Sequence, residues 1–241
     1  MFDKILSFFF PNPCIICNKS VGRNKCVCDT CKTSIYYIGR HSICKTCGSP
    51  ISSGERACGR CTLKPPPFDT LIGCTYFKGD VRTALHRFKF RNRPDLHSSF
   101  SAMLIQRLEE LGCTDFDMVI PIPISKERMA ERGYNQSALI AKDIATHFDA
   151  LYNKEAISRK RHTERQSTLA HNYREANVRG AFSLRNAAGL DGKHVLLVDD
   201  IFTTGATMRE AARVLSKTGC RITSAVISVS ARNSAAPQSS E

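Results

Sequence analysis

Val195-Leu196-Leu197-Val198-Asp199-Asp200-Ile201-Phe202-Thr203-Thr204-Gly205-Ala206-Thr207 is the most informative run in this 241-residue chain. A short apolar strand delivers two adjacent carboxylates, and a hydroxyl-rich loop then opens a helix. Ligands of open α/β sheets gather at the carboxyl ends of strands. Backbone amides at a helix N-terminus, joined by the Thr203, Thr204 and Thr207 hydroxyls, make a cradle for a phosphate monoester. Gly205 lets the backbone come close to that phosphate, with Ala206 in the same turn. Two acids beside a phosphate are unfavourable unless they bind something neutral or cationic. Ribose hydroxyls and a magnesium ion meet that need, so the arrangement fits a sugar phosphate with its ring hydroxyls free. The plainer alternative is an acidic pair ending a strand and a threonine turn capping a helix. Neither G-x-x-x-x-G-K-[ST] nor G-x-G-x-x-G occurs, which leaves P-loop ATPases and dinucleotide binders unsupported.

Strands and helices alternate on either side of this run. Leu71 to Phe77 reads as a strand, while Gly79 to Phe90 and Asp95 to Leu111 show helical i, i+3, i+4 apolar spacing. Met118 to Ile124 is an apolar strand carrying Pro121 and Pro123, and Asn135 is well placed to cap a helix to Phe148. A strand near Ala156 and a helix around Leu169 to Ala176 are expected next. Ala181 to Leu184 reads as a short strand, Gly205 to Lys217 as a helix, and Ile222 to Val229 as the last strand. This alternation predicts an α/β fold, a mainly parallel sheet flanked by helices on both faces.

Three basic groups qualify as anion contacts. Lys126, Arg128 and Arg132 precede the helix headed by Asn135, a place suited to a diphosphate or else a solvated loop. Eight basic residues, three acids and two histidines fall between Lys154 and Arg185, which suits a polar lid, a nucleic-acid contact or a plain solvated surface. In His86-Arg87-Phe88-Lys89-Phe90-Arg91-Asn92-Arg93 the phenylalanines could stack on bases while Arg87, Lys89, Arg91 and Arg93 meet phosphates. Equally, the rings could belong to the core.

The cysteines tell a separate story. Nine of twelve precede residue 62. Cys14, Cys17, Cys28 and Cys31 follow C-x2-C-x10-C-x2-C, and Cys44, Cys47, Cys58 and Cys61 repeat it thirty residues on. One Cys-x-x-Cys alone also suits a redox centre or an iron–sulfur cluster. Four in register favour two structural zinc sites, with closed thiolate shells and no open position for catalysis. The spacing leaves open whether consecutive or interleaved pairs share a metal. Cys26 breaks the repeat, and Cys74, Cys113 and Cys220 read as small buried hydrophobes. With few aliphatic residues between the knuckles, this segment depends on metal for its folding. Pro65, Pro66 and Pro67 then mark a stiff linker.

Composition narrows the class further. With 35 Lys and Arg against 22 Asp and Glu, the formal charge is +13, which makes anions the natural partners. No apolar run approaches the roughly 18 residues of a membrane span, and Ile5 to Phe10 is broken by Ser7 and stopped by Pro11. Without a basic n-region or a small-residue cleavage site, the expectation is a cytoplasmic protein.

The acids and hydroxyl loop resemble the phosphoribosyl pyrophosphate (PRPP) signature of type I phosphoribosyltransferases. With a double zinc ribbon in front, the chain is similar to the ComF family of competence-associated phosphoribosyltransferase-like proteins, from Pro13 to Val229. The resemblance implies a ribbon domain at 1–66 and a phosphoribosyltransferase-like domain at 67–230, and the small, polar stretch 231–241 reads as a disordered tail. The resemblance also implies that Asp199 and Asp200 hold ribose hydroxyls and that Thr203 to Thr207 hold the 5-phosphate. Pro121-Ile122-Pro123 leading to Arg132-Gly133-Tyr134-Asn135-Gln136 resembles the family's pyrophosphate-loop region. Arg159, Arg161, Gln166, Arg174, Asn177 and Phe182 resemble its basic segment, in the place of the mobile loop of active transferases. The function implied is DNA uptake in natural transformation or nutrition, with zinc as structural metal and magnesium accompanying PRPP or a nucleotide. Single-stranded DNA and other competence proteins, such as a DNA-translocating helicase, are the implied macromolecular partners. The alternative is a working salvage transferase, in which a nucleophile displaces pyrophosphate at C1. No residue marks itself as the general base for that step, nor any stretch as the acceptor pocket.

Overall fold

The structure, a computed structural model, describes residues 12–22, 25–39, 43–48, 51, 54–55, 57–160 and 178–230. Its centre is the quoted strand. Val195, Leu196, Leu197 and Val198 are fully buried, as a run apolar on both sides requires.

Seven strands are present among the described residues: β1 (Thr70–Tyr76), β2 (Met118–Pro121), β3 (Leu151–Tyr152), β4 (Ile157–Arg159), β5 (Phe182–Leu184), β6 (His194–Phe202) and β7 (Arg221–Val229). Five of them form one parallel sheet in the order β1-β7-β6-β2-β3. The helices that position it are α1 (Gly79–Phe90), α2 (His97–Glu110), α3 (Lys126–Arg132), α4 (Gln136–His147) and α5 (Ala206–Leu215). One core packs α1, α2 and α4 on one face, around Phe88, Phe100, Leu104 and Ile140. The other sets α5 on the opposite face, with Met208, Ala211 and Leu215 against Val195, Leu197 and Ile222. This is the α/β arrangement that the alternating pattern predicts.

Four details depart from the sequence reading. The central strand continues through both acids to Phe202, because β7 stays paired along it, with Asp199 opposite Val226 and Phe202 opposite Val229. β2 stops at Pro121 rather than reaching Ile124, since Pro121 and Pro123 have no N–H to extend the ladder. β4 and β5 form their own antiparallel pair outside the main sheet. Lys126–Arg132 is a helix, begun by the Ser125 side chain accepting from the Arg128 amide and ended by left-handed Gly133. The expected helix at 169–176 and the tail at 231–241 lie outside the described residues.

The cysteine-rich segment covers the exposed edge of β1. Tyr37 bridges Thr75 antiparallel, the Ile38 amide donates to the Cys74 carbonyl at 2.9 Å, and the Tyr76 amide donates to Tyr36 at 2.8 Å. An uncovered parallel edge would offer its amides to another chain, so this pairing closes the sheet. Cys14, Ile15 and Val27 join the α1/α2 core, whereas Cys44, Cys47 and Cys61 join the α5 core. The segment therefore straddles the sheet edge. Side chains pin it there: Arg107 Nη2 donates to the Ile38 carbonyl at 2.9 Å, and Ser99 Oγ donates to that of Pro13 at 2.5 Å.

Gly73 marks the closest approach. A Cβ there would stand 2.8 Å from Val229 Cγ2 and 2.9 Å from Ile38 Cδ1. Gly73→Ala should therefore cost about 1–3 kcal/mol in urea melts, part of it recovered by Ile38→Val, which removes the clashing methyl. A fully additive double variant would contradict this docking.

Candidate functional site

Strands β2 and β6 lie side by side, but the chain leaves them in opposite directions. From β2 it passes through α3 and α4 to β3; from β6 it passes through α5 to β7. Of these helices α4 and α5 cover opposite faces, so a crevice opens between the two carboxyl ends, the switch point at which such sheets bind ligands. The Ile122 amide still donates to the Val198 carbonyl at 2.9 Å, and beyond it the partners diverge. Asp199 and Asp200 come immediately after that last bond.

Each acid has its own surroundings. Asp199 Oδ1 accepts from Ser137 Oγ at 2.8 Å and from the Asp200 amide at 2.9 Å. Burial and the neighbouring Asp200 charge push its carboxyl up to about 6, against Lys89, Ser137 and the Asp200 amide, which lower it. Asp200 is 7% exposed, and its Oδ1 pairs with Lys89 Nζ at 2.8 Å. After Phe202 the chain turns through exposed Thr203 and buried Thr204, whose Oγ1 accepts from the Ala206 amide at 3.2 Å. Gly205 is left-handed at φ 78°, and a Cβ there would lie 2.3 Å from the Phe202 ring, so only glycine fits this turn. It leads directly into α5, at the start of which Thr207 remains half-buried.

The β2 side supplies cations and a second helix start. Asn135 caps α4, its Oδ1 accepting from the Ser137 amide at 3.1 Å and its Nδ2 donating to Ile122 at 3.0 Å. Burial lowers the Arg159 guanidinium, the nearby Arg128 charge lowers it further, and Asp199 opposes both. Arg159 of β4 thus feels the charges of both Arg128 of α3 and Asp199 of β6, although Arg128 and Arg159 stand thirty-one residues apart in sequence. Arg132 donates to Gln136 Oε1 at 3.0 Å and lies over the Phe90 ring at 4.7 Å. Lys126 and Gly133 are exposed. Arg161, Gln166 and Arg174 lie outside the described residues.

The basic run at 86–93 is distributed differently from a free nucleic-acid surface. Phe88 is fully buried, while Phe90 is exposed and stacks with His86. Arg87 Nη2 donates to the Ile15 and Ile16 carbonyls, and Arg93 pairs with Asp95 at 2.7 Å and reaches Asn18 at 3.1 Å. Lys89 turns inward to Asp200, and Arg91 is exposed. No spacing rule links Lys89 to an acid 111 residues later; only packing of α1 against the sheet brings them together.

The cysteines assemble from consecutive pairs, not interleaved ones. The sulfurs of Cys14, Cys17, Cys28 and Cys31 all lie within 4.8 Å of one another, as do those of Cys44, Cys47, Cys58 and Cys61. Four soft thiols so grouped suit zinc, which takes four such ligands in a tetrahedron. The repeat extends to the backbone: the Asn18 and Gly48 amides donate back to the Cys14 and Cys44 carbonyls, at 3.0 and 2.8 Å, from left-handed conformations. Cys26 stands outside both sets, and burial pushes its thiol up to about 11. Arg209 of α5 donates to Cys61 Sγ at 3.6 Å, which ties the second cluster to the helix that follows the threonine loop.

Comparison with known proteins agrees with both halves. The double zinc ribbon domain family matches residues 5–62, and the phosphoribosyl transferase domain family matches residues 135–240. The DNA utilization protein YhgH of Salmonella typhimurium is 28% identical over 214 residues, 87% of this chain and 92% of that protein. The competence protein ComFC of Bacillus subtilis is 31% identical over 202 residues, 80% of this chain and 79% of that protein. Among solved structures, glutamine PRPP amidotransferase from B. subtilis, complexed with ADP and GMP, matches 58% of this chain and 30% of its own at 21% identity and a TM-score of 0.40. The chain belongs to the ComF family, which joins a double zinc ribbon to a phosphoribosyltransferase-type domain.

The raised Asp199 carboxyl has a measurable consequence. A raised acid favours the fold while protonated, and that contribution is lost as pH rises through about 6. Asp199→Asn keeps the neutral shape, so in urea melts it should gain on the order of 2 kcal/mol over wild type near pH 8 and nothing near pH 4. An equal shift at both pH values would contradict the assignment.

Proposed function

We propose that the crevice between β2 and β6 binds a ribose 5-phosphate compound, PRPP or a nucleotide, and that the chain serves cytoplasmic DNA uptake or utilisation. One observation carries the reading: an acid pair and a hydroxyl loop end one strand of a switch-point crevice, and Arg159 stands within reach of the Asp199 charge. Thr203, Thr207 and the amides opening α5 take the 5-phosphate, while Gly205 keeps that turn open. Asp199 and Asp200 accept from the ribose hydroxyls. Arg128 and Arg159 hold a diphosphate where one is present, with Lys126 and Arg132 at its rim and Asn135 and Gln136 fixing the start of α4. Magnesium, when bound with PRPP, neutralises the diphosphate charge beside these residues.

The DNA role draws on the relatives' names and on charge. They are named for DNA utilization and for competence, and this chain carries +13. Residues 1–66 act as the docking module for DNA or a protein partner, and 67–230 as the sugar-phosphate module. A surface of this charge binds single-stranded DNA with an affinity that falls as salt rises. No helix among the described residues is long and apolar enough to cross a membrane.

Titration calorimetry with PRPP and magnesium tests the site. Wild type should bind, and Thr207→Ala should weaken binding about ten-fold, the worth of one hydrogen bond to a charged group. Failure of PRPP, ribose 5-phosphate and nucleoside monophosphates alike to bind would overturn the reading.

A further inference from the structure

We propose that Lys89 is a built-in cation of the acid pair, so that the crevice holds a ribose monophosphate without any divalent ion. The inference rests on the sugar-phosphate reading above and deepens it. Two carboxylates next to each other repel an incoming phosphate unless something positive stands among them. In this chain the positive group is already in place: Lys89 Nζ lies 2.8 Å from Asp200 Oδ1, with the two side chains only 18% and 9% exposed.

Lys89 is held there from two directions. Two residues before it, Arg87 donates to the Ile15 and Ile16 carbonyls of the first cysteine cluster. The preceding Phe88 is fully buried against Phe100 and Tyr134, and its carbonyl accepts from the Tyr134 hydroxyl in the turn that leads to α4. The last turn of α1 is therefore fixed between the ribbon and the β2 side of the crevice. An ammonium group has three donors, and Asp200 Oδ1 takes one of them. Among the described residues no hydrogen bond takes the others, which leaves them to a ribose hydroxyl or phosphate oxygen in the same space.

The division of labour that follows depends on ligand charge. A ribose monophosphate brings one phosphate, which the threonine loop holds, and its pentose meets an acid pair already offset by Lys89. A diphosphate at C1 adds charge that Arg128 and Arg159 share, and there a divalent ion contributes. Magnesium should thus matter for PRPP and not for ribose 5-phosphate.

Calorimetry of the full-length, zinc-loaded chain with ribose 5-phosphate, in buffer freed of magnesium by a chelating resin before the protein is added and in millimolar magnesium, decides the matter. Wild type is expected to bind equally in both. Lys89→Gln should bind about ten-fold more weakly in the magnesium-free buffer, with most of the loss restored by magnesium, because removing one partner leaves a buried charge uncompensated. Lys89→Arg should behave as wild type. The proposal is overturned if wild type requires magnesium for ribose 5-phosphate, an arm that decides even if Lys89→Gln fails to fold. It is equally overturned if Lys89→Gln only lowers the melting temperature and leaves the magnesium-free affinity unchanged, the mark of a purely structural lysine. Wild type that binds neither ribose 5-phosphate nor PRPP in either buffer is a different result, and it removes the sugar-phosphate site itself.

Discussion

The divergence of two parallel strands governs this molecule. β2 and β6 share hydrogen bonds until the Ile122 amide reaches Val198, and then their chains leave toward opposite faces. Backbone and side-chain groups beyond that point face a crevice instead of a neighbouring strand. Asp199 and Asp200 occupy it because they are the next two residues of β6. Since β7 keeps pairing with β6 past them, the acids are held on a rigid strand and not on a loop. Rigid placement has a cost in desolvation, visible in the raised Asp199 carboxyl. Ser137, the Asp200 amide and Lys89 offset part of it, and each comes from a different element.

The ribbon is less an appendage than a second wall of the same domain. Its two cysteine clusters lie against opposite faces of the sheet, and the segment between them pairs with β1. Each cluster also meets an arginine from a helix that serves the crevice. Arg87 binds carbonyls of the first cluster from α1, the helix that carries Lys89, and Arg209 reaches Cys61 of the second from α5, which follows the threonine loop. Metal in four thiolates, worth roughly 10 kcal/mol or more per structural site, therefore stabilises a surface on which both sides of the crevice lean.

Much of this could be read from residue order, because the signals are local. The Cys-x-x-Cys repeat, the buried run at 195–198 and the apolar spacing of 79–90 each depend on neighbours a few positions away. Asn135 as a cap and Gly205 as the turn residue are of the same kind. What escaped was long-range. Lys89 read as a surface cation because its partner comes from another element, and the pairing of the cysteines needed the path of the chain between them. The short helix at 126–132 did leave a local trace, Ser125 before it and Gly133 after it, which the dense charges between them obscured. Strand β3, only two residues long, left none.

Amide hydrogen exchange gives the most direct test that the end of β6 grips a phosphorylated pentose. With PRPP and magnesium added to the zinc-loaded chain, exchange should slow at 203–207, where amides would bond to phosphate, and to a lesser degree across 121–128 on the facing strand end. Protection confined to the ribbon, or no change at saturating ligand, would show that the phosphate is held elsewhere or not at all, and would contradict the account.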